Sequence, residues 1–348
     1  MSHLNYAEAG VVGLLQGITE LFPISSLGHA VLIPAIVGGQ WAQDLDVSKP
    51  ESPYLAFIVG LHVATALAMI IYFWRDWIRI IRAFFASLGH AISPEPGTRR
   101  FQPQGIDQTL AWMIIVGTIP VGLAGVALEH TFRTIFSKPL LTATFLFVNG
   151  LILFGGELLR RRGADEAARQ VAADQQMVAE RQRAGVATGG YGGGGGRHSS
   201  GQRAVKQEHA NLAMAADQRV TRLGLLGAIL LGASQILALL PGISRDGIVM
   251  VSGMARGLSR QDAARFSFLL SAPVILAAGV LKISDLTGPL GKGIHGQVLF
   301  GSILSGIGAY FALRFLDRYL SNPGRTLTPF AIYCLAAGAG AFIYLAVK

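Results

Sequence analysis

Six stretches of the chain, at about 55 to 74, 110 to 128, 139 to 159, 264 to 283, 296 to 316 and 328 to 347, are apolar over roughly 18 to 22 residues each. A helix of that length crosses the hydrocarbon layer of a bilayer, and a helix satisfies its backbone polar groups internally. The pattern therefore predicts an all-α polytopic membrane protein with six transmembrane spans. Composition agrees, since 51% of the 348 residues are hydrophobic and only 14% are charged, too few to cover a water-soluble globule.

Two further apolar regions, roughly 8 to 37 and 223 to 256, are longer than one crossing and are interrupted by Pro, Gly, Ser and charged residues. They read as re-entrant broken helix pairs. Glu8 and Glu20 flank the first apolar run, which is unlike a secretory signal, so residues 1 to 37 are read as mature protein. The one cysteine, Cys334, lies inside the last span and reads as a small packing residue.

The formal charge of +9 sits on the connections. Residues 160 to 222 carry eleven bases against six acids and include Gly189, Gly190 and the run Gly192 to Gly196, the composition of a flexible basic linker on the cytoplasmic side. Arg75, Arg79, Arg82, Arg99 and Arg100 mark the same side, as do Arg256, Arg260 and Arg265, and Arg314, Arg318 and Arg325. Because the bases set topology, nucleic acid is not expected as a partner. Threading these constraints gives a first repeat over 1–159, the linker over 160–222 and a second repeat over 223–348. Each repeat is a re-entrant pair plus three spans, the two have opposite orientation, and both termini lie outside.

A local match supports the repeat. Gln16 to Gly28, QGITELFPISSLG, aligns without gaps to Gln235 to Gly247, QILALLPGISRDG, with five identities in thirteen positions. An inverted-topology repeat brings its two broken helices together near the membrane midplane.

Polar residues at that depth are costly unless they work. Gln16 and Glu20, four apart, project from one helix face. Pro23 then opens a break in which Ser25, Ser26, Gly28 and His29 offer hydroxyls, backbone N–H groups and an imidazole, a cradle suited to an anion. The second break, with Pro241, Gly242, Ser244, Arg245, Asp246 and Gly247, adds a guanidinium whose planar fork suits phosphate oxygens. Carboxylate, hydroxyl, imidazole and guanidinium together point to phosphoryl transfer. His62, His90, His130 and His295 carry no motif and read as incidental.

QGITE followed by PISSLGH, and LLPGISRDG later, resemble the undecaprenyl-diphosphate phosphatase family, also called the bacitracin-resistance family, and nearly the whole chain fits. GTIP at Gly117 to Pro120 adds to the likeness. The family's first motif is matched by Gln16 and Glu20, its serine-glycine-histidine segment by Ser25, Ser26, Gly28 and His29, and its second motif by Pro241, Gly242, Ser244, Arg245 and Gly247. Leu27 stands where threonine is usual and Asp246 where serine is usual.

The resemblance implies a multi-pass protein of the bacterial inner membrane that hydrolyses undecaprenyl diphosphate on the periplasmic side, regenerating the carrier lipid for peptidoglycan. It also implies a divalent cation, Mg2+ or Ca2+. Glu20, Ser26, His29 and Arg245 are the expected catalytic residues, with either Ser26 or His29 as nucleophile. Ser25, Gly28, Gly242, Ser244, Arg245 and Gly247 are expected around the phosphates, and Gln16 and Glu20 at the metal, with Asp246 as a further carboxylate. The partners are the polyprenyl diphosphate and membrane lipids, and a homodimer is compatible with this reading. The rival readings are a secondary transporter or flippase of a phosphorylated lipid, a phosphatidic-acid-type phosphatase and a scaffold. The density of hydrolytic groups disfavours the first, and Val251, where the second needs histidine, disfavours that one.

Overall fold

The computed structural model describes residues 4–45, 53–92, 103–134, 138–183, 213–282, 288, 293–322 and 324–348. They form α1 (Tyr6–Leu21), α2 (Ser26–Val37), α3 (Gly39–Asp44), α4 (Pro53–Tyr72), α5 (Trp74–Ile92), α6 (Gly105–Thr134) and α7 (Pro139–Arg183). After these come α8 (Ala213–Thr221), α9 (Gly224–Ser234) with a 3-10 turn over Gln235–Leu239, α10 (Arg245–Ala255), α11 (Arg260–Leu281), α12 (His295–Ser321) and α13 (Thr328–Val347).

Among the described residues five helical segments are long and apolar enough to cross a membrane, Gly105–Leu128, Pro139–Arg162, Arg260–Leu281, His295–Ser321 and Thr328–Val347, and two bent pairs, Ala56–Tyr72 with Trp74–Gly89 and Ala213–Thr221 with Gly224–Leu239, pass the same test together. Each of the five contains or overlaps a predicted span. The sixth prediction, 55 to 74, differs in kind: α4 ends at Tyr72 and the chain turns by 86° into α5. The helix α5 is amphipathic, with Arg75, Asp76, Arg79 and Arg82 interrupting its apolar positions, so it cannot continue a span into hydrocarbon. Both apolar regions read as broken pairs are helix–break–helix, at residues 22–25 and 240–244. The predicted linker needs correction at its ends, because α7 continues to Arg183 and α8 starts at Ala213. The glycine run at 189 to 196 lies outside the described residues.

The breaks follow from local chemistry. The first helix, α1, starts with a capping box, Asn5 Oδ1 accepting from Glu8 N and Glu8 Oε2 from Asn5 N, both at 2.9 Å. It stops because Phe22, extended at φ −75° and ψ 142°, precedes Pro23. The second break repeats this with Leu240 extended before Pro241.

Packing relates the two halves. The helices α1 and α4 both pack on α12, while α9 and α11 both pack on α6. α7 touches α10, α13 touches α2, and the pairs α4–α11 and α7–α13 pack across the middle. Exchanging α1, α2, α4, α6 and α7 with α9, α10, α11, α12 and α13 maps this contact set onto itself. The close approaches correspond too: Gly13 of α1 abuts the backbone of Gly301 in α12, and Gly232 of α9 abuts that of Gly117 in α6. Small residues let membrane helices pack backbone to backbone where no hydrophobic effect drives them together.

One end of the bundle is held by ion pairs. Arg265 of α11 reaches Asp76 of α5 at 3.0 Å and Asp217 of α8 at 3.2 Å. Arg79 pairs with Asp107 and Asp217, and Arg219 grips Asp262 with two bonds of 2.6 and 2.8 Å. Bidentate, half-buried pairs of this kind resist salt better than exposed ones.

Gly232→Leu places a side chain on the Gly117 backbone and is expected to destabilise the protein by about 1–3 kcal/mol or more. Gly122→Leu, at a position with open space around it, is expected to change little. Thermal unfolding of the two variants in detergent checks this, and equal midpoints would show that the α9–α6 contact is not tight.

Candidate active site

The two breaks meet. Ser25, the N-cap of α2, accepts at its Oγ from Gly28 N at 3.2 Å and from Gly242 N, in the other break, at 3.1 Å. To do so it holds φ +67°, a left-handed conformation costly for a residue with a Cβ and characteristic of over-determined functional backbone. Gly242 has φ +113°, and a Cβ there would strike the backbone of Thr142 and Leu146. Ser244 caps α10 as Ser25 caps α2, accepting from Gly247 N at 3.1 Å.

Asn149 of α7 ties both breaks from behind. Its Nδ2 donates to Pro23 O at 2.9 Å and its Oδ1 accepts from Ser244 N at 3.0 Å. Asn149 is completely buried, and its Nδ2 also lies 3.3 Å from Cys334 Sγ, so the cysteine packs as expected. The sequence reading missed Asn149. A single amide inside an apolar span was the available signal, because such a group needs partners at that depth.

In front of the breaks lies a cavity of about 380 Å3 whose polar wall includes Glu20, Ser26, His62, Gln235, Ser244 and Arg245. Its other walls are apolar, among them Ile58, Val121, Leu239 and Ile275. Leu27 lines it as well. The first turns of α2 and α10 both border it, and the N-terminal N–H groups and dipoles of helices favour anions.

Glu20 is 7% exposed and surrounded by donors. Its Oε2 accepts from Gln16 Nε2 at 2.9 Å and from the Ser26 hydroxyl, and its Oε1 pairs with Arg245. His62 Nε2 stands 3.4 Å from Oε2. Since His62 Nδ1 lies 2.9 Å from Ile58 O, which can only accept, Nδ1 carries a proton and the Nε2 edge is directed at Glu20. This corrects the reading of His62 as incidental. Its position four residues after Ile58, within an apolar helix, gave no sign that it would meet α1.

Several expected residues lie elsewhere. His29 does not line the cavity: its Nδ1 lies 2.7 Å from Ser25 O, its Nε2 lies 2.7 Å from the Tyr333 hydroxyl, and the two rings stack at 5.7 Å. Both ring nitrogens have partners outside the cavity. Asp246 is 1% exposed and points at α11, where its Oδ1 accepts from Ser267 and Ser271 at 2.7 Å each. It is not on the cavity wall, so the expectation of a further carboxylate at the metal is corrected. Gly28 and Gly247 sit where the breaks pack, Gly28 against Gly242 and Gly247 against Pro23, rather than on the wall.

No three His, Cys, Asp or Glu side chains converge among the described residues, so those residues alone build no cage for a cation. The Gln235 amide, fully buried in the cavity wall, has neither its oxygen nor its nitrogen hydrogen-bonded. One carboxylate and one unengaged amide suit a hard cation that takes its remaining ligands from water and phosphate oxygens. Gln16, by contrast, spends its amide nitrogen on Glu20 and lies off this wall.

Fold and site together define an all-α, multi-pass membrane protein with an anion-suited polar cavity closed by two helix breaks. The chain belongs to the bacitracin resistance protein BacA family, whose model matches residues 9–187 and 201–340. It is 54% identical over 347 residues to an undecaprenyl-diphosphatase of Mycolicibacterium paratuberculosis, covering 100% of this chain and 99% of the relative. It is 49% identical over 346 residues to an undecaprenyl-diphosphatase 2 of Frankia alni, covering 97% of each. An undecaprenyl-diphosphatase 2 of Chromobacterium violaceum is 33% identical over 343 residues, 98% of this chain and 99% of the relative.

Asn149→Leu removes a partner from Pro23 O and from Ser244 N, each costing about 1–3 kcal/mol when left unmade in a buried place. A lowered unfolding midpoint is expected, together with loss of the Ser25–Gly242 contact. Unchanged midpoint and unchanged protease resistance at the breaks would show that Asn149 does not hold them.

Proposed function

We propose that this chain hydrolyses undecaprenyl diphosphate to undecaprenyl phosphate and inorganic phosphate in the bacterial inner membrane, with the cavity open toward the periplasm. Family membership and the names of its relatives support the reaction. The observation that carries the residue roles is the hydrogen bond from Ser26 to the buried Glu20 carboxylate, in a cavity that Arg245 shares.

Ser26 Oγ attacks the terminal phosphorus, the bond from that phosphorus to the bridging oxygen breaks, and undecaprenyl phosphate leaves. Glu20, already accepting the Ser26 O–H, takes its proton. Water then opens the phosphoserine, releasing phosphate and restoring the serine hydroxyl. Arg245 and the first turns of α2 and α10 stabilise charge on the equatorial oxygens. Glu20 and the Gln235 amide would hold a divalent cation, Mg2+ or Ca2+, which would supply neutralisation of the diphosphate charge. His29 positions Ser25 and through it the two breaks. The apolar walls meet the first isoprene units, and the rest of the chain lies in the bilayer.

The inverted repeat belongs to the same proposal. Its support is the paired contact pattern, the matching Ser25 and Ser244 caps and the matching Gly13 and Gly232 approaches.

Phosphate release from a C55 diphosphate in detergent is expected to fall at least about a hundredfold in Ser26→Ala, Glu20→Ala and Arg245→Ala. Rapid-quench trapping with labelled substrate is expected to yield phosphoserine at Ser26. Trapped phosphohistidine at His29, or full turnover by Ser26→Ala, would replace this mechanism.

A further inference from the structure

The helix α12 carries Phe311, Arg314, Phe315 and Arg318 at spacings of three and four, which places them in one stripe, and Asn322 caps its C-terminus. Beyond its end a tight turn, with Arg325 N donating to Asn322 O at 3.0 Å, folds Arg325 back over the Tyr319 ring, 5.4 Å from its centre. Tyr319 is fixed in turn by donating its hydroxyl to Thr326 O at 3.0 Å. These residues line a shallow, open surface concavity of about 480 Å3 along which three exposed guanidinium groups are gathered.

Arg79, Arg219, Arg245, Arg260 and Arg265 each meet a carboxylate. Arg314, Arg318 and Arg325 have none within ion-pair distance among the described residues. The acid on their own helix, Asp317, accepts the Tyr72 hydroxyl at 2.8 Å on the side of α4. Three like charges gathered in one concavity repel one another until an anion joins them, and guanidinium forks suit phosphate. Phe311 and Phe315, 62% and 53% exposed, lead from the arginines into the exposed apolar face formed by Ile307, Ile303 and Leu299. A ligand that fits is anionic at one end and apolar at the other.

The place is distinct from the diphosphate cavity, with which it shares no residue. The helices α1 and α12 run side by side in the same direction, Gly13 level with Gly301 and the Phe22 ring 5.8 Å from Phe315. The arginine cavity therefore begins where α1 has ended, further along the bundle than Glu20.

We propose that this cavity binds the headgroup phosphate of an anionic phospholipid of the surrounding bilayer, with the acyl chains along Phe311 and Phe315. On the orientation proposed above it faces the cytoplasmic leaflet, but the binding chemistry stands without the hydrolytic reading.

Native mass spectrometry of the full chain, released from micelles containing equal phosphatidylglycerol and phosphatidylcholine, tests this. The wild type is expected to retain one phosphatidylglycerol in preference to phosphatidylcholine. Arg325→Gln is expected to weaken that retention about fivefold, and the triple change Arg314→Gln, Arg318→Gln, Arg325→Gln to reduce it to the phosphatidylcholine level. Arg222→Gln with Arg256→Gln, basic positions outside the cavity, is expected to leave it unchanged. The single variant, altered only in an exposed turn, keeps the test in force if the triple variant does not fold. Equal retention of the two lipids, full retention by Arg325→Gln, or an equal loss in the Arg222 and Arg256 pair would overturn the proposal. Displacement of the lipid by millimolar inorganic phosphate would make the ligand a free anion and overturn the lipid assignment.

Discussion

A single carboxylate governs the centre of this protein. Glu20 is buried at the end of a broken helix within an apolar bundle, where an unpaired charge would cost several kcal/mol. It is held there by an amide from its own helix, a hydroxyl from the next, an imidazole from α4 and a guanidinium from the far half of the chain. Four separate segments must therefore be in register before the charge is satisfied. The demand that makes the site expensive to build also makes its geometry specific, because any misplacement of one segment leaves a charge without a partner.

The surrounding architecture supplies that register by close contact rather than by bulk. Glycines bring α1 onto α12 and α9 onto α6, prolines end the helices just short of the cavity, and Asn149 holds the two interruptions to one another. At the other end the Arg265, Arg79 and Arg219 pairs connect α5, α6, α8 and α11. Polar groups carry the long-range order, and apolar groups fill in around them, which is the division expected where lipid removes the hydrophobic drive for helix association.

Much of this was legible in the residues. Span length, the proline-started breaks and the QGITE, PISSLGH and LLPGISRDG motifs are local patterns, and a local pattern survives without knowledge of what faces it. The partners of those motifs were not legible. His62 and Asn149 each sit alone in an apolar run, with nothing in the neighbouring residues to say which helix they will meet. His29 and Asp246 show the converse: both are inside the motifs, but the helical rotation after each break turns them toward Tyr333 and toward Ser267 and Ser271. The sharp turn after Tyr72 was hidden because Phe73 and Trp74 keep the run apolar through the bend.

The fastening of one interruption to the other constrains how this molecule moves. A carrier that works by rocking two halves past each other has to part them at the midplane, and here that seam is crossed by Ser25 to Gly242, by Asn149 on both sides and by Arg245 to Glu20. Separating the halves would strand several buried polar groups at once. A lipid headgroup is better served by a stationary pocket that it enters from the side, its tail never leaving the bilayer. The seam thus favours chemistry carried out in place over transport from one leaflet to the other.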